Sequence, residues 1–286
     1  MKHFLSALAL GCLLLSCNRD LESTVSENDK LLLLKKLEPG FVDIGYKNNN
    51  EIEYLKIGSF WKKANIEYQY DGSGRIIKEH RFDETSSAYT DITYQYDSQG
   101  RLASSNAISA RFYPHCSIER KHSYTYHGNS TVSVKMELFE DDCSPTLEKK
   151  EEKSVTLLIE NGRVVKSLDE NNQIIETIEY YNTKNALRNI KGFPALVSEF
   201  YLRGITYMMP YYNRIDNIDD LKFIDNVKTR DSHNGYYTVY KYMDRNNNEY
   251  NGDYPESVSL FEKSHNDPNH NRPIWLYFDR YYTSGE

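Results

Sequence analysis

Three side chains near the C-terminus have the types and spacing of a metal site. His265, Asp267 and His270 place two imidazoles and a carboxylate within six residues, a pattern that could ligate zinc. No neighbouring glutamate is positioned to act as a base, and the segment is rich in asparagine and proline, as solvent-exposed loops are. We therefore expect a polar loop here and no metal centre.

A second run of oxygen donors is similar to a calcium-binding loop. Asp244, Asn246 and Asn248 alternate along the chain, but Glu249 stands at the sixth position instead of glycine and Pro255 at the twelfth instead of glutamate. This departure excludes a helix–loop–helix calcium site. A looser calcium site is the alternative that stays open, and otherwise we expect no cofactor.

The sequence carries none of the short motifs of serine hydrolases, zinc proteases, phosphate-binding loops or paired-cysteine centres. Acidic clusters occur at residues 140–142 and 216–220. Glycoside hydrolysis needs two carboxyls that face each other across a cleft, whereas adjacent residues of a strand point to opposite faces. We expect no catalytic residues and no enzymatic activity.

Trp61 and Trp275 are the candidate ligand-stacking residues. A broad aromatic ring offers contact area at low entropy cost, so an exposed tryptophan could stack on the face of a sugar. Placement in the core is the alternative and is the more common fate of this residue type.

Cys116 and Cys143 flank a predicted hairpin. Residues 131–138 alternate between polar and apolar side chains, which indicates a strand, and Gly128-Asn129 marks the turn before it. A turn centred between these two residues would place Cys116 opposite residue 141, within reach of Cys143 after a bulge. We predict a disulfide that stabilises the fold by roughly 3–4 kcal/mol. Two free buried thiols are the alternative.

The N-terminus has the order of a secretory signal. Residues 4–15 form an apolar stretch that is too short to span a bilayer as a helix. The following Leu-Leu-Ser-Cys, which ends at Cys17, resembles a bacterial lipobox. That resemblance implies cleavage before Cys17 and acylation of this residue. Three acyl chains would hold the protein firmly on a membrane.

The chain then repeats itself at turn-forming segments. Tyr-Gln-Tyr-Asp ending at Asp71 is followed by Gly74-Arg75, and the same letters recur at Asp97 and Gly100-Arg101. Looser copies occur at residues 124–128, 158–165, 178–182 and 240–244. In each unit the alternating residues make one aromatic and one polar face, the aspartate opens a turn, and the glycine takes a positive φ.

Such hairpins must pair edge to edge, because a single hairpin is barely stable in water. We therefore predict an all-β protein, an antiparallel meander of repeated hairpins in a curved or partly closed sheet with at most short helices, one of them possible at residues 195–202. The expected organisation is a signal peptide at 1–16, the lipidated cysteine and a flexible tether at 17–35, and one β domain at 36–286. Alternating runs of five to eight residues and a polar second face argue against a sheet that itself crosses the membrane.

The composition fits this organisation. The 286 residues include 25 tyrosines but only 11 phenylalanines, and the mean hydropathy is −0.73. A net charge of −7 provides no basic face for nucleic acid.

Together, the lipobox, the polar tether and the Tyr-x-Tyr-Asp-x-x-Gly-Arg units resemble outer-membrane lipoproteins of Bacteroidota that carry a porin-like antiparallel β domain and have no established function. The units also resemble the Tyr-Asp repeats of Rhs-type shell proteins. The resemblance implies a lipid anchor in the outer membrane and assigns no chemistry. We expect a non-catalytic scaffold that contacts another envelope protein. The alternative is a glycan-binding surface lipoprotein of a polysaccharide-uptake system.

Overall fold

The structure is a computed structural model, and its description covers most of the chain beyond residue 31. The described residues are 32–38, 42–47, 51–59, 62–83, 89–110, 117–141, 148–184, 190–192, 225–243, 248–250, 257–274 and 279–284.

Within these ranges the chain forms seventeen β-strands in one sheet and no helix. No helix that is long and apolar enough to cross a membrane is found in the described part. The strands are β1 (Leu32–Glu38), β2 (Val42–Tyr46), β3 (Ile52–Ser59), β4 (Lys62–Tyr70), β5 (Ile76–Asp83), β6 (Tyr89–Tyr96), β7 (Leu102–Ala110), β8 (Ser117–His127), β9 (Thr131–Glu140), β10 (Glu148–Glu160), β11 (Arg163–Leu168), β12 (Ile174–Lys184), β13 (Asp225–Asp231), β14 (Tyr236–Met243), β15 (Ser257–Ser264), β16 (Asn271–Ile274) and β17 (Asp279–Ser284).

The sheet is an antiparallel meander, which confirms the predicted fold class. Each strand from β1 to β15 pairs with the next one along the chain. The last strand returns to the first, with Ser284 opposite Leu32. β16 pairs with β15 and β17 pairs with β1, and residues 275–278 between them lie outside the described part of the chain. The possible helix at residues 195–202 lies outside the described residues.

The alternation of strand directions gives the sheet two rims. The turn rim is the edge where β4 meets β5, β6 meets β7, β8 meets β9 and β10 meets β11. The far rim is the opposite edge, where β11 meets β12, β13 meets β14 and β15 meets β16. Leu32 and Ser284 are paired at the turn rim, so the sheet begins and ends at the same edge. The first described strand, β1, begins at Leu32, four residues before the domain boundary expected at residue 36.

The sheet has a buried inner face and a hydrophilic outer face, as the period-two pattern predicts. Aliphatic and tyrosine side chains of the inner face form one core, which includes Ile66, Tyr68, Ile92, Tyr94 and Tyr124. On the intervening positions, exposed polar residues face outward; they include Glu67, Gln69, Thr93, Gln95, Ser123, Thr125 and Lys135.

Candidate functional site

The turns of the turn rim are organised by an aspartate at the end of the incoming strand. Asp71 Oδ1 accepts hydrogen bonds from the backbone N–H groups of Ser73 (2.9 Å) and Arg75 (3.0 Å), and Oδ2 accepts from Arg75 Nε at 2.7 Å. Gly74 adopts the predicted positive φ of 78° and donates to the Asp71 carbonyl at 3.0 Å. Burial alone would raise the pKa of Asp71, but the hydrogen bonds from Arg75 and Ser73 outweigh it and hold that pKa below 3.8.

The same turn recurs where β6 meets β7. Asp97 Oδ1 accepts from the N–H groups of Gln99 and Arg101, both at 2.9 Å, and Oδ2 accepts from Arg101 Nε at 2.8 Å. Gly100 has a φ of 79°. The repeated aspartate and arginine are thus engaged with each other, and their role in these turns is structural.

The pairing register shifts just after each turn. At this point a tyrosine of the next hairpin donates a hydrogen bond to a backbone carbonyl. The pairing shifts by one residue after Ile76 and after Leu102, as it does at a β-bulge. The Tyr96 hydroxyl donates to the Ile76 carbonyl at 2.6 Å, and the Tyr126 hydroxyl donates to the Leu102 carbonyl at 3.0 Å. Burial raises the pKa of Tyr96 above its ordinary value, so this hydroxyl stays a donor.

The arginine of the preceding turn also packs on the ring of each of these tyrosines in a cation–π contact. The guanidinium carbon lies 4.6 Å from the ring centroid for Arg75 on Tyr96 and 4.2 Å for Arg101 on Tyr126. A third hairpin repeats both contacts: the hydroxyl of Tyr180 donates to Val164 O at 2.8 Å, and Arg163 lies 5.6 Å from that ring. We call this series of contacts the tyrosine ladder. It ties neighbouring hairpins together.

The inner face also holds buried polar pairs. Glu79 is 0% exposed and accepts hydrogen bonds from Arg81 Nε (2.6 Å) and the Tyr94 hydroxyl (2.9 Å). Ser105 Oγ and His122 Nδ1 lie 3.1 Å apart, the reach of a nucleophile and its base. Because these two residues are only 3% and 1% exposed, a substrate has no access to them, and the pair belongs to the core.

The two candidate metal-binding histidines are separated by the sheet. His265 stacks on the ring of Tyr237, with centroids 4.8 Å apart, whereas His270 lies against Tyr236 at 5.4 Å. Consecutive residues of a strand face opposite sides, so the two imidazoles do so as well. His265 Nε2 lies 2.8 Å from Asp231, and Asp267 accepts a hydrogen bond from the N–H of Asn269 in its own turn. No group of three metal-ligating side chains occurs among the described residues.

Most other candidates fall outside the part of the chain that the structure describes. Asn248 is described and is exposed, but its expected calcium partners are not. The candidates outside the described residues are Cys17, Trp61, Cys116, Cys143, Asp244, Asn246 and Trp275.

The register next to the two central cysteines differs from the sequence-based expectation. β8 ends at His127 and β9 begins at Thr131, so the turn is centred on Asn129 and not between Gly128 and Asn129. Ser117, instead of Cys116, therefore lies beside Asp141, whose carboxylate accepts from Ser117 N and Ser117 Oγ, both at 2.8 Å. The disulfide stays a prediction: labelling of both thiols without reductant would exclude it.

A cluster of rings on the outer face was missed in the sequence. His80 stacks on Phe82 with centroids 5.0 Å apart, and it lies 6.1 Å from the ring of Tyr89. Phe82 and Tyr89 are opposite each other on β5 and β6. We call these three residues the ring cluster. The sequence pattern could have indicated this cluster, because Phe82 and Tyr89 occupy the outward-facing alternating positions that elsewhere in these strands carry Lys, Asp and Thr.

Polar groups adjoin the ring cluster. Asp91 Oδ1 lies 2.5 Å from His80 Nδ1, and Oδ2 lies 3.3 Å from Lys78 Nζ. Burial works to raise the pKa of Asp91, but the hydrogen bonds from His80 and Lys78 prevail and lower that pKa below 3.8. The carboxylate is therefore ionised at neutral pH and can accept further hydrogen bonds.

Comparison with known proteins gives structural similarity only. No protein-family model matches the chain, and no curated protein sequence matches it. A porin-like protein from Bacteroides vulgatus is similar in structure, at 12% identity and a TM-score of 0.39, over 81% of this chain and 98% of that chain. A porin-like protein from Bacteroides uniformis matches at 9% identity and a TM-score of 0.32, over 85% of this chain and 76% of that chain. At these sequence identities and TM-scores, neither match provides information about the activity of this chain.

Proposed function

We propose that the protein is a non-catalytic lipoprotein, held on the bacterial outer membrane by an acylated Cys17, that serves as a docking scaffold for another envelope protein. The outer face of the sheet carries this proposal. Its exposed positions include Glu67, Gln69, Thr125 and Lys135, which are side chains that favour water over hydrocarbon. A sheet with this surface needs a separate device for membrane attachment, and the lipobox supplies one.

The proposed anchor is tested by cell fractionation. Cys17→Ala removes the thiol that would be acylated, so the variant protein should move from the membrane fraction to the soluble fraction. Cys12→Ala is the matched control, since this cysteine belongs to the predicted signal peptide and should leave the distribution unchanged. Continued membrane association of Cys17→Ala would refute the anchor.

The docking role is tested by photo-crosslinking in intact cells. A photoreactive side chain at the exposed position Thr93 or Thr125 should give a discrete adduct with an envelope protein. The same group at Ala107, which is 5% exposed on the inner face, is the control. If no exposed position gives an adduct, the scaffold role is wrong.

Glycan binding is a second proposed function, and the ring cluster favours it. Tyr89 is 41% exposed, although tyrosines of the same hairpins on the inner face, such as Tyr68 and Tyr94, are buried. An exposed ring next to ionised and hydrogen-bonding groups is the arrangement that binds a ligand with both C–H faces and hydroxyl edges. The tryptophans proposed from the sequence are the competing location.

A further inference from the structure

We propose that the ring cluster is a saccharide site that binds neutral pyranose units of a glycan. The proposal rests on the second proposed function, glycan binding, and it assigns that function to the outer face of β5, β6 and β7. The side chains concerned are arranged by the sheet register, so their relative positions do not depend on a loop.

Three columns of outward-facing residues make a regular grid. Pairing of β5 with β6 and of β6 with β7 places residues side by side in three rows. Adjacent strands lie about 4.8 Å apart, so three columns are about 10 Å wide, close to the length of a disaccharide. The rows are Phe82, Tyr89 and Ala110; His80, Asp91 and Ile108; and Lys78, Thr93 and Asn106.

The end of the grid nearest the far rim is apolar and accessible to solvent. Tyr89 is 41% exposed and Ile108 is 39% exposed, and Ala110 lies beside the tyrosine. His80 stacks on Phe82, which fixes the rings at the edge of the patch. A pyranose can lay its C–H face on Tyr89, because an aromatic side chain offers a broad contact area and loses little rotamer entropy on binding.

The end of the grid nearer the turn rim carries side chains that can hydrogen-bond to sugar hydroxyl groups. Asp91 supplies carboxylate acceptors, Lys78 supplies donors, and Thr93 carries a hydroxyl that does both. The charges of Asp91 and Lys78 cancel, so the site favours an uncharged sugar over a uronic acid, whose carboxylate would lie near that of Asp91. Sugar hydroxyls would extend hydrogen bonds that Asp91 already makes with His80 and Lys78.

The size of the patch points to a small ligand. A stable protein interface covers about 800 Å² on each partner, whereas the apolar part of the grid is confined to a few side chains. Its neighbours on β8 are already paired, with Lys121 Nζ 3.2 Å from Glu119. The patch lies where β5 ends and β6 begins, toward the far rim. It therefore faces away from the edge at which β1 starts, and a long glycan could reach it on an anchored molecule.

The test is calorimetry of the detergent-solubilised full-length protein with hexasaccharides of glucose, mannose and xylose, and with oligogalacturonate as the charged comparison. At least one neutral hexasaccharide should bind saturably and more tightly than oligogalacturonate. Tyr89→Ala should weaken that binding about tenfold, since ring stacking is lost. Tyr89→Phe, which keeps the ring, should stay within about threefold. Tyr236→Ala is the matched control, because Tyr236 is 46% exposed elsewhere on the sheet and should bind as wild type does.

The outcomes separate the site from the function. Saturable binding that Tyr89→Ala leaves intact and Trp61→Ala or Trp275→Ala abolishes would overturn the ring cluster as the site and leave glycan binding standing. Absence of binding to every saccharide would overturn both. Tighter binding of oligogalacturonate than of the neutral sugars would contradict the proposed ligand class.

Discussion

At the scale of single residues, the turn rim depends on glycine where the backbone is left-handed. Gly74 has a φ of 78°, and a β-branched side chain there is strained. A Cβ would also meet the aliphatic end of Lys191, but that flexible side chain can move away. The backbone conformation therefore accounts for most of the cost.

We expect Gly74→Val to destabilise the protein by about 1–3 kcal/mol, as measured by denaturant unfolding. Gly72→Ala is the control in the same turn, since nothing lies within 4 Å of a Cβ at Gly72. Equal stability of the Gly74→Val variant would mean that this conformation is not maintained in solution.

The turn aspartates predict a loss of stability in acid. The pKa values of Asp71 and Asp97 are lowered below 3.8 in the folded protein. Their contribution is therefore present above the unfolded value near 3.8 and is lost as the pH falls through the folded values. Asp71→Asn should reduce stability at pH 7 by about 1–2 kcal/mol and flatten the acid limb of a stability–pH profile.

Asp169→Asn is the matched comparison for this prediction. Asp169 organises a similar turn at the far rim, accepting from the N–H groups of Asn171 and Gln173 at 2.8 Å each, but the arginine is replaced by Gln173. The effect of Asp169→Asn should be smaller. Equal acid sensitivity of wild type and Asp71→Asn would contradict the assignment.

Local features of the hairpins follow from the sequence, whereas contacts between hairpins do not. Asp71, Gly74 and Arg75 act within five consecutive residues, so the turn can be recognised from the letters alone. The bond from Tyr96 to Ile76 depends on a register shift and on a partner 20 positions away. No local pattern specifies either of them.

At the scale of strands and hairpins, the tyrosine ladder should be a separable source of stability. Tyr126→Phe removes only the hydroxyl that donates to Leu102 O. It should cost about 0.5–1.5 kcal/mol in the free energy of unfolding, measured with denaturant. Tyr89→Phe is the control, because its exposed ring belongs to the outer face. A cost for Tyr126→Phe no larger than that of the control would mean that the ladder contributes nothing.

Register is the element-scale property that sequence reasoning predicts least well. The turn between β8 and β9 was expected at a two-residue position but is centred on Asn129, and this difference moves the pairing partner of every residue in the hairpin by one. The ring cluster was missed for a related reason. Phe82 and Tyr89 look like core residues until the parity of their strands is fixed.

At the scale of the whole molecule, the connection between β12 and β13 is joined to the opposite part of the sheet. Ile190 is 1% exposed in the core, and Lys191 Nζ lies 3.3 Å from Glu51 Oε1, 140 positions away in the chain. A Cβ added at Gly192 would come within 2.9 Å of the Ile76 side chain. Residues 190–192 therefore pack beside the start of β3 and the start of β5, which are remote from β12 and β13 along the meander.

Ile190→Ala should destabilise the entire sheet by about 2–5 kcal/mol, because it empties a buried site in the common core. Denaturant unfolding followed by circular dichroism measures this cost. Ile174→Ala, at a position that is 43% exposed, should stay within about 0.5 kcal/mol of wild type. A small effect of Ile190→Ala would show that the connection is not part of the cooperative unit.

The pairing of Leu32 with Ser284 has a practical consequence for labelling the protein. A fluorescent or affinity domain fused after residue 286 would emerge beside the start of the first strand. If Cys17 carries the lipid, the fused domain would lie at the edge of the sheet where β1 begins, the edge to which the lipidated segment connects. An epitope inserted in the β13–β14 turn at residues 232–235 would lie at the far rim, away from this edge.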